Sequence, residues 1–218
     1  MSKVFVSPGL HIICGLQGGG KSHLIRYIMH EKRRTFNWGI VFTQTKFGGG
    51  NFDYIPENFV HAQYSPAKLI ALKKLQERLI KDGKSPAAFI IFDDCLYGKI
   101  WNDPELLSLC TQLRHYNITC IISTQYPNAL PPPLRTNAFT VSIFQMTTER
   151  ALKALYESFG QLFESYTAFR QYIFANTGDH SFLLFDARNG GTTVAERYYV
   201  MKAPADIPQF MMKMTKKI

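Results

Sequence analysis

The stretch Leu10-His11-Ile12-Ile13-Cys14, followed at once by Gly15-Leu16-Gln17-Gly18-Gly19-Gly20-Lys21-Ser22, decides the fold. The apolar run reads as a buried strand. The next eight residues match GxxxxGK[ST] in full, and a helix carrying Leu24, Ile25, Ile28 and Met29 on one side is predicted from Lys21. Strand, glycine turn and helix in that order are what a phosphate cradle requires. Backbone N–H groups must turn inward around an anion, which needs residues that tolerate positive φ and close approach. The helix start adds its positive dipole end. The expected ligands are ATP and Mg²⁺, held by Gly15 to Ser22 and the following His23. Lys21 reaches the β- and γ-phosphates and the Ser22 hydroxyl joins the metal shell.

A cradle of this kind needs carboxylates for the metal and the attacking water. Phe89-Ile90-Ile91-Phe92-Asp93-Asp94 supplies them, because its two acids stand at the carboxyl end of an apolar strand, where open α/β sheets bind ligands. Asp93 is the candidate for holding Mg²⁺ and Asp94 for polarising the water. Asp is shorter than the Glu that many related ATPases use in the second role. A further strand, Ile118 to Thr124, ends in Gln125, whose amide can both donate and accept toward a γ-phosphate or the lytic water.

Apolar runs and helical periodicities alternate along the rest of the chain, the pattern of an α/β sheet covered on both faces. Trp38–Thr43, Ala87–Phe92 and Phe139–Phe144 read as strands. Helices are predicted from Pro66, with Leu69, Leu72, Leu75 and Leu79 as its buried stripe, from Asp103-Pro104 to about Tyr116, and from Thr148 to Phe159. Lys46–Tyr54, with three consecutive glycines, reads as a mobile loop, and Pro131-Pro132-Pro133 as a chain break. Ser181–Phe185 and Thr192–Val200 flank Asn189-Gly190-Gly191 as a hairpin. The whole, 1–218, is expected to be one domain, with an ATPase core to about 160 and a helix, hairpin and basic tail beyond it.

With 218 residues, 46% of them hydrophobic and 19% charged, the chain has the material for a real core, which excludes a disordered polyampholyte. Its formal charge of +9 favours a polyanionic partner. No apolar run is long enough for a membrane span, and no secretory leader is expected. Cys14, Cys95, Cys110 and Cys120 form no CxxC pair and read as buried free thiols. His11 and Cys14 point to opposite faces of one strand, which argues against a zinc site.

The ordered set Gly15–Ser22, Phe89–Asp94, Arg114-His115, Ser123-Thr124-Gln125-Tyr126-Pro127 and Leu134-Arg135-Thr136-Asn137 resembles the poxvirus-type DNA-packaging ATPases, of the FtsK–HerA class of P-loop motors. The resemblance spans about residues 8 to 160. It implies a RecA-like (ASCE) P-loop fold, with a mainly parallel sheet, helices on both faces and here a C-terminal β-hairpin. The implied activity is Mg²⁺-dependent, DNA-stimulated ATP hydrolysis that drives double-stranded DNA into a preformed capsid. The implied partners are double-stranded DNA without sequence preference, capsid or vertex proteins, and further copies in a pentameric or hexameric ring, with no membrane. The implied place is the host cytoplasm, the viral assembly site or the virion.

A ring also follows from size, since one domain cannot supply both lobes around ATP and a neighbour must provide the second wall. An arginine in trans then stabilises the transferring phosphoryl group. Arg135, beyond the strand ending at Gln125, is the first candidate and Arg114 the second. DNA contacts are expected from Lys68, Lys73, Lys74, Arg78, Lys81 and Lys84, from the tail residues Lys213, Lys216 and Lys217, and from a pore loop running from Lys46 and Phe47 to Tyr54. The alternatives are a nucleotide or small-molecule kinase, a translocase of the same class outside packaging, and a nucleotide-dependent switch or capsid scaffold. The first lacks an arginine-rich lid here, and a guanine switch lacks its Asn-Lys-x-Asp.

Overall fold

A computed structural model describes residues 5, 8–44, 51–95 and 100–214. In chain order its elements are β1 (Gly9–Cys14), α1 (Lys21–Lys32), β2 (Phe36–Thr43), β3 (Val60–His61), α2 (Pro66–Lys81), β4 (Ala87–Asp93), α3 (Pro104–Gln112) and β5 (Ile118–Thr124). They continue with α4 (Pro132–Thr136), β6 (Ala138–Ile143), α5 (Glu149–Phe159), α6 (Tyr166–Asn176), β7 (Ser181–Asp186), α7 (Val194–Arg197) and β8 (Tyr198–Lys202). The strands form one sheet in the order β3-β2-β4-β5-β1-β6-β7-β8. Pairing is parallel from β3 to β6 and antiparallel for β6–β7 and β7–β8. This is the expected P-loop arrangement, with β5 inserted between the glycine-loop strand and the acidic strand.

Continuous apolar strands are what burial on both faces demands, because successive side chains point to opposite sides. Ile12, Ile40, Ile90 and Ile122 enter one core with Leu69 and Leu72 of α2, Leu106 of α3 and Leu152 of α5. Ile13, Val41, Ile91 and Ile121 enter the other, under Leu24, Ile25 and Met29 of α1. Each fully buried side chain of this size is worth roughly 1.5–3 kcal/mol, so the two layers fix the carboxyl ends of β1, β4 and β5 in register.

Local chemistry sets the helix starts. Asp103 Oδ1 accepts from Glu105 N at 2.8 Å and Leu106 N at 3.3 Å, and Ser65 caps α2 ahead of Pro66. Gly83, at φ +72°, follows the end of α2. Gln76, rather than Leu75, completes the buried face of α2, because its Nε2 donates to the carbonyls of Pro86 and Tyr116. All four cysteines are buried and unbridged, and His11 Nδ1 lies 2.7 Å from Thr140 Oγ1.

Several expectations change. α3 ends at Gln112 rather than near Tyr116, and turns lead into β5. The proline triplet opens α4 instead of only breaking the chain, since proline suits a first helical turn. The final strand begins at Tyr198, not Thr192. Glu196 accepts from the backbone of Thr192 and Thr193 and from the Thr193 hydroxyl, a capping box that turns 194–197 into α7. Lys46 to Gly50 lie outside the described residues, as do Lys216 and Lys217. Residues 51–54, expected in the mobile loop, are pinned by Phe52 and Tyr54 in the α1-side core.

After β8 the chain runs alongside α1. His23 Nε2 lies 2.7 Å from the Pro204 carbonyl oxygen, His30 meets Phe210 edge-on, and Met212 N donates to Tyr54 O.

Candidate active site

The glycine loop closes at the carboxyl end of β1. Gly15 N donates to Thr124 O at 3.2 Å, and Gly19 N folds back to Leu16 O at 3.1 Å. Two glycines are required by geometry. A Cβ at Gly15 would stand 2.7 Å from Phe144 Cβ, and Gly20 caps α1 at φ +105°. Lys21 is buried, and its Nζ donates to the Gly15 and Leu16 carbonyls at 3.1 Å each. The first turn of α1 carries no acid, so nothing there repels an anion from the helix start.

Register assembles the acidic side. Asp93 pairs with Thr43 of β2 and with Ser123 of β5, and Cys14 pairs with Thr124, so the strand ends form one row. Asp93 is buried and its Oδ1 accepts from Ser123 Oγ at 2.8 Å. Burial pushes its pKa above the ordinary carboxylate range, and the nearby Asp94 adds to this. The Ser123 and Thr43 hydroxyls and the Lys21 charge pull the other way. Asp94 follows the last residue of β4 with φ +47°, its N–H donating to Ser123 O at 3.1 Å. This turns its carboxylate toward Lys21 Nζ, 3.5 Å from Oδ2, and Gln125 Nε2 reaches the same oxygen at 3.4 Å. Asp94 Oδ1 is buried without a protein partner.

These groups share one cleft of about 490 Å³. Gln17, Gly18, Gly20, Lys21, Ser22, His23, Asp93, Asp94 and Gln125 line it, while Gly15, Leu16 and Gly19 shape the turn beneath. Two lining residues, Gln44 and Asn51, went unread in the sequence. Gln44 follows the end of β2 as Gln125 follows β5, and that parallel was the available signal. The oxygens of Ser22, Asp93 and Asp94, one of them an orphaned buried acceptor, suit a hydrated hard dication.

Arg114 and Arg135 are not in this cleft. Each precedes a parallel strand, β5 and β6 respectively, and so stands at the opposite edge of the sheet from the carboxyl ends. Arg135 Nη1 donates to Ser158 Oγ and lines a separate cleft with Phe159 and Arg197. Arg114 is exposed, with its guanidinium 5.6 Å from the Phe139 ring centre.

No family model matches the chain. It is 31% identical over 195 residues to the uncharacterized protein 075L of Invertebrate iridescent virus 6, covering 86% of this chain and 75% of that protein. It is 26% identical over 215 residues to the uncharacterized protein L437 of Acanthamoeba polyphaga mimivirus, covering 93% and 75%. Among solved structures, the genome packaging NTPase B204 of Sulfolobus turreted icosahedral virus 2, in complex with sulfate, matches with a TM-score of 0.67 at 16% identity. The match covers 93% of this chain and all of that one. The complex of B204 with ATP-γS matches at 0.63. The fold is that of a P-loop NTPase.

Proposed function

The chain belongs to the family of protein 075L of Invertebrate iridescent virus 6, and from that premise we propose that it is an ATP-hydrolysing motor that moves double-stranded viral DNA into a preformed capsid. The observation that carries this is the convergence of Lys21, Asp93, Asp94 and Gln125 in one cleft, across an inserted β5. A kinase needs an acceptor site beside the phosphates, whereas this cleft places a carboxylate and an amide there, groups suited to holding a water. The fold shared with a viral genome packaging NTPase supports the packaging reading.

On this reading the loop amides and Lys21 bind the triphosphate, and Lys21 leaves the Gly15 and Leu16 carbonyls to do so. Ser22 and Asp93 would hold Mg²⁺, which when bound would offset the charge of the terminal phosphates. Asp94 polarises the attacking water, and Gln125 holds the Asp94 carboxylate in line. Arg135, or failing it Arg114, enters the pocket of the next copy in a closed head-to-tail ring, which the far-edge position of both arginines favours. Lys74 and Arg78, exposed on α2, contribute phosphate contacts to duplex DNA. The finer placement is among the poxvirus-type, FtsK–HerA-class motors. Among the described residues no helix is long and apolar enough to cross a membrane.

The test is the ATPase rate with and without duplex DNA of unrelated sequences, together with the mass of the assembled species. Turnover raised by any duplex in an oligomer supports the motor. Transfer of phosphate to a nucleoside or other small acceptor, with no response to DNA, overturns it.

A further inference from the structure

The cleft around Arg135, of about 390 Å³, lies at the edge of the sheet away from the glycine loop. Antiparallel register builds it. Asp186 pairs with Thr140 and Phe185 with Tyr198, so the end of β7 and the start of β8 meet beside the start of β6. Arg135 of α4 and Arg197 of α7 both line the cleft, against an apolar wall that includes the buried rings of Phe159 and Phe185. We propose that this cleft binds a phosphate group, free or carried on a small ester. The assignment is independent of what the glycine loop holds. Arg135 closed on this anion and Arg135 extended into a neighbouring copy are alternative positions of one side chain.

Charge balance is the first argument. Among the described residues, no aspartate or glutamate lines the cleft, and neither arginine has a carboxylate partner. Asp186 stands beside it, but Arg188 takes both of its carboxylate oxygens, at 3.1 and 3.0 Å. What Asp186 offers Arg197 is its main-chain carbonyl. Two cations lining one cleft between apolar walls repel each other more strongly than they would in water. An anion between them turns that repulsion into attraction on both sides.

The unused donors are the second argument. Arg135 Nη1 donates to Ser158 Oγ, a neutral acceptor that itself donates to Ala154 O at 2.7 Å. Arg135 Nε is buried without a partner, which is costly for an N–H of a charged group. A turn of the guanidinium toward an anion in the cleft would give this N–H its acceptor. Arg197 is already held in place. Its Nε and Nη2 donate to the Asp186 and Ala187 carbonyls at 3.2 Å each, and the Phe185 ring centre lies 4.5 Å from the guanidinium carbon. This leaves Nη1 for a ligand. One guanidinium satisfies a carboxylate, whereas two, from separate helices, suit the additional oxygens of a phosphate.

Calorimetry with inorganic phosphate on the full chain carrying Lys21→Ala tests this, because that background disables the glycine loop. Arg197→Gln removes one guanidinium. Thr136→Glu, at an exposed position of the lining, puts a carboxylate beside the arginines. Each should weaken phosphate binding about tenfold or more, the scale of one lost charge-assisted contact. Ala71→Glu adds the same charge at an exposed position of α2, outside the cleft, and should leave binding unchanged. Thermal unfolding confirms that each variant is folded. Phenyl phosphate distinguishes the two sources of the group. Binding tighter than that of the free ion identifies an ester that uses the Phe159 and Phe185 wall, and equal or weaker binding identifies the ion itself. Absence of phosphate binding in the Lys21→Ala chain overturns the assignment. So does an affinity that both folded cleft variants retain, or that Ala71→Glu lowers equally.

Discussion

Lys21 Nζ stands 3.5 Å from Asp94 Oδ2, so the cation of the phosphate loop and the carboxylate assigned to the water hold each other across the cleft. A γ-phosphate entering the loop must take Lys21 from this pair. On the proposed mechanism this leaves Asp94 Oδ2 to the Gln125 amide and Oδ1, which has no protein partner, to accept from the attacking water.

Asp94→Asn should therefore separate binding from turnover. The amide keeps the shape but neither draws Lys21 as strongly nor repels the phosphate. ATP affinity should hold or rise a few-fold, while the hydrolysis rate falls about a hundredfold or more, the usual scale for a lost general base. Calorimetry and steady-state phosphate release check the two halves. Lys21→Ala should lose both properties, and an Asp94→Asn variant with normal turnover would remove Asp94 from the chemistry.

Asp93 makes a prediction about stability. Burial raises its pKa above 3.8, so the folded chain holds a proton there more tightly than the unfolded chain does. Keeping it ionised costs stability at neutral pH, and that cost disappears as pH falls from the raised folded value to the unfolded one. Asp93→Asn should accordingly raise the melting temperature of the nucleotide-free protein at pH 7.5 by a few degrees, since ~1 kcal/mol shifts it by roughly 2–4 °C in a chain of this size. The gain should vanish toward pH 4. The same variant should lose the extra stability that Mg²⁺ with ATP gives the parent. A melting temperature lowered at neutral pH would mean the ionised carboxylate stabilises the fold.

The glycine loop was legible because its chemistry is contiguous: strand, turn and helix lie within Leu10–Met29, and each demand falls on a neighbour in sequence. The acid pair was legible for the same reason, as the polar end of an apolar run. Gln44 and Asn51 were not, because only sheet order brings the segment after β2 to this cleft. The misplaced final strand shows a local competition. Asn189-Gly190-Gly191 reads as a tight hairpin, but Thr193 and Glu196 satisfy each other in a capping box first, and the turn becomes part of a longer connection. Gln76 shows the reverse case, a polar residue buried at an apolar position because two carbonyls receive its amide.

DNA stimulation should depend on salt and not on sequence. Contacts made by lysine and arginine to phosphates release counterions, so affinity falls steeply as salt rises. Lys74→Ala and Arg78→Ala, both at exposed positions of α2, should each weaken duplex binding equally across unrelated sequences. Each should lower the magnitude of the salt slope by about one, as the loss of one phosphate contact does. Fluorescence anisotropy at several salt concentrations reads this directly. Slopes unchanged in both variants would move the DNA path to another face.

Arg135 stands at the edge where the parallel strands begin, the far side of the sheet from Lys21, so it cannot serve the pocket of its own chain. If it serves a neighbour, defects in the two halves of the pocket must complement. A Lys21→Ala chain has a dead loop but an intact Arg135, and an Arg135→Ala chain has the reverse. Each alone should be inactive, by about a thousandfold for the arginine. Mixed before assembly, some interfaces pair the intact loop of one chain with the intact arginine of the next, and ATPase activity should reappear with a maximum near equal proportions. Arg114→Ala, mixed in the same way, distinguishes the two arginines. If Arg135 only braces α5 through Ser158, its alanine variant lowers the melting temperature and mixing restores nothing. Complementation is the outcome a structural role does not produce, because it requires two chains to share one site.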